Sequence, residues 1–142
     1  MNDKSTTGAV EAYRSVDAYG GVETADPHQL IQLLLDGALS AIRAARAHLT
    51  RGDLPAKAGE LSRAVAIVDT LRGCLDHERG GDVAAGLEQL YDYLARRLTM
   101  ANARNDELPM CEAEDLLTEI RDAWAAVASP ADSTATTDAV VG

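Results

Sequence analysis

The sequence predicts an all-α protein: an antiparallel up-down four-helix bundle with a short N-terminal arm and a disordered C-terminal tail. Its composition is 46% hydrophobic but only 4% aromatic, with no Phe, and a core made largely of Ala and Leu favours helices over a sheet sandwich. Apolar residues also recur at three- and four-residue spacings in four separate stretches joined by short turns. Four amphipathic helices with short connections have one simple arrangement, the antiparallel bundle.

The chain divides into three predicted regions. With 142 residues it is long enough for one domain with a real core, which we expect to span residues 26–128. Residues 1–25 are predicted to form a flexible arm, in which Tyr13 and Tyr19 belong to an apolar series at three-residue spacing that indicates a short helix. Residues 129–142 are rich in Ala, Thr and Asp and lack any basic residue, so we expect a disordered tail.

The first predicted helix runs from Asp26 to about Gly52. Asp26 suits the N-cap, because its side chain can accept a hydrogen bond from an amide of the first turn, and Pro27 suits the first helical position. The apolar arc is much wider than the roughly 100° of an ordinary surface helix, so this helix should either lie deep in the fold or keep a face for a partner. Its predicted core seam is Ile31, Leu35, Ala38, Ile42, Ala45 and Leu49.

Three further helices follow from the same reasoning. The second is predicted over residues 54–78, and a glycine-rich turn at 79–82 separates it from the third, for which Asp82 is the expected cap. A polar loop at 102–109 leads to the fourth helix at 111–128. The positions predicted to face the core are Leu61, Ala64, Val65, Val68, Leu71 and Leu75 in the second helix, Val83, Leu87, Leu90, Tyr91, Leu94, Leu98 and Ala101 in the third, and Ala113, Leu116, Leu117, Ile120, Trp124 and Val127 in the fourth.

Charge and composition exclude several classes of function. The net charge of −10 argues against a nucleic-acid binder, which needs clustered Lys and Arg to neutralise phosphates, and against docking on an anionic membrane. Two cysteines are too few for a disulfide framework. The N-terminus lacks the apolar core of a signal peptide, and no apolar run reaches transmembrane length. We therefore expect a cytoplasmic protein with reduced cysteines and no membrane insertion.

The sequence offers little for catalysis or metal binding. Cys74 and His77 stand one helical turn apart, but a zinc site needs a closed set of ligands, and a cysteine and a histidine near a helix end are more often structural. A nucleophile would need a base and an orienting group beside it, and no nucleophile elbow or phosphate-binding glycine loop is present. We predict a protein that is not an enzyme and holds neither cofactor nor metal.

Two alternative functions come from other classes. The segment around His48 is loosely similar to histidine phosphotransfer domains, which are also four-helix bundles with a phosphorylatable histidine. Here the spacing is one residue short and His48 lies in the last turn of its helix, where the helix dipole also favours a histidine without any phosphotransfer role. A generic helical adaptor is the other alternative.

Several motifs together resemble the flagellar secretion chaperone family FliS. They are Leu-Leu-Leu-Asp-Gly-Ala at 33–38, Leu75-Asp76 ahead of the Gly80-Gly81 pair, Leu-Tyr-Asp-Tyr at 90–93, Met100-Ala101-Asn102, and Trp124. The resemblance covers roughly residues 13 to 127 in the right order. One departure is visible: the family usually has a tyrosine where this chain has Leu35, which keeps the apolar bulk and loses a hydroxyl.

The resemblance implies a cytosolic four-helix bundle that binds the C-terminal segment of flagellin. That segment is disordered in the monomer and drives filament polymerisation, so the chaperone would prevent premature assembly and keep flagellin competent for the type III export gate. In the family the N-terminal arm is thought to cover part of the binding surface until flagellin displaces it. The implied partners are flagellin and the export gate, and the expected state is a monomer or weak homodimer.

Apolar positions beside the core seams are the candidate binding surface. Leu33, Gly37, Ala41 and Ala44 flank the seam of the first helix, Ile67 and Cys74 that of the second, and Tyr93 and Met100 that of the third. For Ala41 and Ile67 a plain core role is the stronger interpretation, because bundle faces are broad. Tyr93 and Met100 point furthest from the core and are the strongest candidates. The predicted flagellin-binding residues are Tyr13, Tyr19, Leu33, Gly37, Ala41, Ile67, Tyr93 and Met100.

Overall fold

The computed structural model describes residues 26–127, which form the predicted bundle. Its helices are α1 (Pro27–Thr50), α2 (Leu54–Gly73), α3 (His77–Arg104) and α4 (Glu107–Ala126). α1 packs against α2 and α4, and α3 packs against the same two helices, so α1 and α3 lie diagonally across the bundle. The all-α class is confirmed. The predicted arm at 1–25 and tail at 129–142 lie outside the described residues.

The start of α1 has the predicted cap. An Asp26 carboxylate oxygen accepts the Gln29 amide hydrogen at 2.8 Å, and the Gln29 side-chain oxygen accepts the Asp26 amide hydrogen at 3.4 Å. This reciprocal capping box satisfies two amides that the helix leaves without partners. Pro27 occupies the first turn, and Gly52, with φ +77°, follows the helix end.

The connection between α2 and α3 lies earlier in the chain than the sequence indicated. α2 ends at Gly73, not near residue 78, and Asp76 caps α3 by accepting the Arg79 amide hydrogen at 3.1 Å. The glycine pair does not separate the two helices. Instead Gly81, at φ 50° and ψ −125°, kinks α3 one turn after its start. The prediction was wrong because a side-chain cap five residues upstream of the kink already begins the helix.

The connection between α3 and α4 is shorter than predicted. α3 continues to Arg104, Asn105 adopts a left-handed conformation at φ 51°, and Asp106 caps α4 by accepting the Leu108 amide hydrogen at 3.0 Å. The predicted polar loop at 102–109 is therefore wrong. Pro109 had indicated a loop, but it lies in the first turn of α4, where its missing N–H costs no hydrogen bond.

The core contains most of the predicted positions. In α1 the seam residues from Ile31 to Ala45 are buried and Leu49 is half-buried. Leu34, Leu39 and Ala41 are also fully buried, which accounts for the wide apolar arc: α1 contacts helices on two sides. The sequence was wrong about Val83, which is 59% exposed just beyond the kink in α3.

Ion pairs join three of the four pairs of neighbouring helices. They are Arg43–Glu114, Arg46–Glu114, Arg46–Glu107 and Arg121–Asp36 between α1 and α4, Arg72–Glu88 and Arg72–Asp92 between α2 and α3, and Arg97–Glu112 between α3 and α4. Within the described part of the chain, no such pair joins α1 to α2. The α1–α2 contact therefore depends on apolar packing, whereas the other three are also held by charges.

The α1–α4 ion pairs predict how stability depends on pH. Burial raises the pKa of Glu114, but hydrogen bonds from Arg43 at 2.9 Å and Arg46 at 2.7 Å outweigh it, so the pKa lies below its ordinary value of 4.5. A group with a lowered folded-state pKa stabilises the fold above its unfolded pKa, and that stabilisation is lost as the pH falls through the folded pKa. We expect Glu114→Gln to lower the unfolding free energy by about 1 kcal/mol at neutral pH.

Urea denaturation at neutral pH and at a pH below 4.5 checks this prediction. The Gln variant should lose less stability on acidification than the original protein does. Glu119→Gln is the matched control, because Glu119 is an exposed carboxylate on the same helix. Equal acid sensitivity in the Glu114 variant and the original protein would contradict the expectation.

Candidate partner-binding surface

Tyr93 and Met100 lie on the side of α3 that faces α4. Both are half-buried, and Tyr93 packs against the edge of the core. The Tyr93 hydroxyl donates to one oxygen of Glu112 at 2.7 Å, and Arg97 Nε donates to the other at 2.8 Å. An Arg97 terminal nitrogen also lies 3.4 Å from the Met100 sulfur. Tyr93 is therefore less free than the sequence suggested: its ring is presented at the α3–α4 contact with a fixed orientation.

The charge on Glu112 holds this arrangement in place. The hydrogen bond to Glu112 raises the pKa of the Tyr93 hydroxyl, and the bonds from Tyr93 and Arg97 lower the pKa of Glu112. At neutral pH the carboxylate is ionised and accepts both hydrogen bonds, while Tyr93 stays protonated and donates. The polar end of Tyr93 is thus occupied within the protein, and what the ring can offer a partner is apolar surface.

The candidate positions on α1 and α2 divide into a surface group and a core group. Leu33 and Gly37 are half-buried on the outer side of α1, and Ala44 continues the same strip. Ala41 and Ile67 are 0% exposed and belong to the core. This placement agrees with the core interpretation of those two residues, and we leave them out of the candidate surface.

The remaining candidates form two patches on different sides of the bundle. The α1 patch consists of Leu33, Gly37 and Ala44, and the α3 patch consists of Tyr93 and Met100. Because α1 and α3 are diagonal in the bundle, a small compact ligand cannot cover both patches. A partner that uses both must be long enough to pass around the bundle. Tyr13 and Tyr19 lie outside the described residues.

A recess that the sequence did not indicate opens at the end of the bundle where α1 begins. Its cavity volume is only about 30 Å³, and side chains from all four helices or their ends contribute to its lining. The lining residues are Ile31, Leu35, Leu71, Cys74, Leu75, Leu87, Tyr91, Ile120 and Trp124. Burial raises the pKa of Tyr91 to about 12 and also raises the pKa of the Cys74 thiol, so both stay protonated and uncharged at neutral pH.

His28 and Trp124 close the bundle beside this recess. Their rings stack with centroids 5.0 Å apart and 14° between the planes. Trp124 Nε1 donates to the His28 carbonyl oxygen at 2.9 Å, and His28 Nε2 donates to the Trp124 carbonyl oxygen at 2.9 Å. The start of α1 is thereby bonded twice to the end of α4. Sequence periodicity could not reveal this pair, because it depends on which helix ends meet.

The comparison with known proteins decides the family. A family model described as Flagellar protein FliS matches residues 9–131 of the chain. The chain belongs to the FliS family. It is 47% identical over 120 residues to the flagellar secretion chaperone FliS of Salmonella typhimurium, a match that covers 84% of this chain and 89% of the relative.

Two further FliS relatives agree with this assignment. The flagellar secretion chaperone FliSB of Pseudomonas aeruginosa is 39% identical over 116 residues, which cover 82% of this chain and 92% of that protein. The flagellar secretion chaperone FliS of Vibrio cholerae is 35% identical over 117 residues, which cover 82% of this chain and 86% of that protein. The resemblance inferred from the sequence motifs is thereby confirmed.

The FliS-like motifs fall at the structural features just described. Trp124 forms, with His28, the stacked and hydrogen-bonded pair described above, here called the His28–Trp124 clasp. The motif at 90–93 contains Tyr91, which is buried, and Tyr93, which is half-buried. Asn102 accepts two hydrogen bonds from the buried Lys57 side chain. Leu35 is fully buried and lines the recess. A leucine suits that apolar position, since a hydroxyl there would need a hydrogen-bond partner.

The groups considered for chemistry are engaged in structural contacts. His48 Nδ1 accepts a hydrogen bond from Arg51 at 2.8 Å, and His77 Nε2 donates to Glu88 at 2.9 Å. Across residues 26–127, no cluster of three or more potential ligands is arranged to hold a metal ion. No helix in the same range is both long and apolar enough to cross a membrane.

Proposed function

We propose that this chain is a cytoplasmic flagellar export chaperone that binds the C-terminal segment of flagellin. The segment, disordered before assembly, would be held on the bundle surface and so kept from polymerising until it reaches the type III export gate. The relatives that match most of the chain are named flagellar secretion chaperones, which supports this class over a phosphotransfer domain or a generic adaptor.

The proposal is supported by the placement of the candidate residues, which fall in two patches on helices that are diagonal in the bundle. Ordering a disordered client costs about 1–2 kcal/mol per residue of backbone, and apolar burial returns about 25 cal/mol per Å². Each ordered residue must then bury on the order of 40–80 Å². One small pocket cannot supply this along a whole segment, but a path around the bundle can, and the two patches are suited to lie on it.

A calorimetric titration with a peptide of the flagellin C-terminal segment tests the proposal. Binding should be accompanied by a negative heat-capacity change, because apolar surface is buried, and by an ordering cost in entropy. A peptide of the same composition in scrambled order is the control. If the cognate peptide binds no more tightly than the scrambled one, the chain does not act on flagellin in the proposed way.

Tyr93→Ala is expected to weaken binding of the flagellin peptide about 10-fold, or ~1.4 kcal/mol. The variant removes an oriented aromatic ring from the α3 patch. Tyr93→Phe keeps the ring and removes only the hydrogen bond to Glu112, so its affinity should stay within about 3-fold of the original. Tyr93→Glu is a poorer probe, because it would place a second carboxylate beside Glu112.

Calorimetry with the three proteins measures this difference. Gln89→Ala is the matched control, because Gln89 is exposed on the same helix, and it should leave affinity unchanged. Urea unfolding separates binding from folding, since Tyr93→Ala also removes one contact between α3 and α4. Unchanged affinity in the Ala variant would show that the α3 patch is not part of the binding surface.

A further inference from the structure

The end of the bundle opposite the recess is formed by the last turns of α1 and α3 and the first turns of α2 and α4, and is here called the distal end. Two side-chain contacts join these helices in pairs. Arg46 Nε of α1 donates to Glu107 of α4 at 3.0 Å, and the Lys57 ammonium group of α2 donates to the side-chain oxygen of Asn102 of α3 at 2.7 Å. The four helix ends are thus held together, and the side chains that they expose form one surface.

Two exposed leucines lie at the distal end. Leu54 begins α2 and is 41% exposed, and Leu108, in the first turn of α4, is 73% exposed. Because Cα–Cβ bonds in a helix tilt towards its N-terminus, side chains in these first turns lean towards the end of the bundle. Val83, the other exposed large apolar side chain of residues 26–127, lies near the opposite end. Single exposed apolar residues are ordinary on a protein surface, so the leucines need a second observation beside them.

The second observation is the distribution of the arginines. Arg51, which caps the end of α1, and Arg104, the last residue of α3, are exposed and form no ion pair with a carboxylate of the described residues. Every other arginine in that range forms such a pair: Arg43, Arg46, Arg63, Arg72, Arg79, Arg96, Arg97 and Arg121. The helix dipole alone favours a cation at a helix C-terminus, so either arginine by itself would mean little. Beside the two leucines, however, they combine exposed apolar surface with unpaired positive charge.

Two carboxylates at the distal end offset these cations only in part. Asp53 accepts an amide hydrogen of α2 at 3.2 Å, and Asp106 accepts one of α4 at 3.0 Å. Against them stand Arg51, Arg104 and the buried ammonium group of Lys57, while the ion pair that joins α1 to α4 there is neutral. The distal end therefore has a small positive charge in a chain whose net charge is −10. Arg51 donates one hydrogen bond to a histidine one turn earlier, and a guanidinium group has further N–H donors to offer.

We propose that the distal end is a docking surface for a partner segment that carries carboxylates beside leucine-like side chains. Its carboxylates would bind Arg51 and Arg104, whose planar guanidinium groups suit carboxylates, and its apolar side chains would pack on Leu54 and Leu108. The sides of the bundle carry the excess of carboxylates and repel such a segment, so its approach is directed to this end. A basic segment would instead be attracted to the sides. None of the four residues belongs to the α1 patch or the α3 patch, so the inference does not depend on flagellin binding.

An NMR titration of the isotope-labelled protein with a defined peptide tests the surface. The probe is a peptide of glutamate and alanine that carries two leucines one helical turn apart. Backbone amide signals of residues 51–57 and 104–109 should shift, whereas those at the opposite end of the bundle should not. Two control peptides, one with serine for both leucines and one with lysine for every glutamate, should leave the distal signals in place. The proposal is wrong if the acidic peptide does not shift the distal signals, or shifts signals equally over the whole bundle.

Leu108→Ser and Arg104→Gln should each weaken binding of the acidic peptide about 5-fold, as expected for the loss of one exposed apolar contact or ion pair. Val83→Ser and Arg96→Gln are the matched controls and should leave affinity unchanged. Val83 is exposed near the opposite end, and Arg96 is an exposed arginine of the same helix that is already paired with Asp92. Added salt should weaken binding to the original protein more than binding to Arg104→Gln, because exposed ion pairs are screened.

Two results would overturn the proposal. Equal affinities of Arg104→Gln and Arg96→Gln would show that the unpaired guanidinium group has no part in binding. Sedimentation equilibrium in which the original protein self-associates, and Leu108→Ser does not, would assign the surface to a second copy of the chain instead of an acidic partner. Urea unfolding verifies that all four variants remain folded, as expected for changes at exposed side chains.

Discussion

Replacing Trp124 with Ala should lower the free energy of unfolding by about 3 kcal/mol, the lower end of the range for large aromatic side chains because the residue is only half-buried. The ring stacks on His28, and its Nε1–H donates to the His28 carbonyl oxygen. The variant removes the stack, leaves that carbonyl without its donor and enlarges the recess that Trp124 lines. Urea denaturation followed by circular dichroism measures the loss.

Trp124→Phe separates the ring from its hydrogen bond. Phe retains an aromatic ring that can stack on His28 but has no N–H, so the expected loss is about 1 kcal/mol. The difference in unfolding free energy between the Ala and Phe variants then gives the stabilisation that comes from the stacked ring and its apolar burial. Equal losses in the Ala and Phe variants would mean that the ring contributes nothing beyond its hydrogen bond. A loss in the Ala variant far below 3 kcal/mol would mean that the clasp does not hold the ends of α1 and α4 together.

The features that sequence reasoning predicted correctly are local ones. Asp26 and Pro27 are adjacent at the start of α1, so their predicted cap and first-turn positions need no knowledge of the rest of the fold. The buried seam of α1 follows from helical periodicity alone. Two glycines at 80–81 misled the interpretation because Gly is permissive in a turn and in a kink alike. Whether the glycines end a helix or kink it depended on Asp76, because its side chain caps α3 before the glycines are reached.

The features that sequence reasoning missed depend on which surfaces meet. Cys74, just after the end of α2, lines a recess that no periodicity in the sequence indicated. Periodicity gives the direction in which a side chain points, but not how completely a neighbouring helix covers it. The patch residues Leu33, Gly37, Tyr93 and Met100 remain predictions, because their half-buried positions are compatible with a binding surface and with an ordinary bundle exterior.

Lys57 is the clearest case of a residue whose role only tertiary structure reveals. Its side chain is buried at 3% exposure, and its ammonium group donates to the carbonyl oxygen of Asn102 at 2.9 Å and to the Asn102 side-chain oxygen at 2.7 Å. Lysine is almost never fully buried without a partner. Here the last turn of α3 provides one, because carbonyls at a helix C-terminus lack intrahelical donors and carry partial negative charge.

Asn102→Ala should destabilise the fold by about 3 kcal/mol, more than Lys57→Met, for which about 1–2 kcal/mol is expected. The Ala variant leaves a buried ammonium group with only the backbone carbonyl, whereas Met keeps the apolar stem and removes the charge. The consequence that distinguishes this explanation from simple loss of contacts is a rescue: adding Lys57→Met to Asn102→Ala should restore stability, because no buried charge remains unpaired.

A double-mutant cycle of unfolding free energies in urea tests the rescue. We expect the double variant to be at least about 1 kcal/mol more stable than the sum of the single losses predicts, and more stable than Asn102→Ala alone. Arg104→Ala, an exposed change in the same turn of α3, is the control for effects on the helix end and should cost less than about 0.5 kcal/mol. Strictly additive losses would show that the ammonium group of Lys57 does not depend on Asn102, and that the two bonds hold the ends of α2 and α3 together no more strongly than ordinary packing.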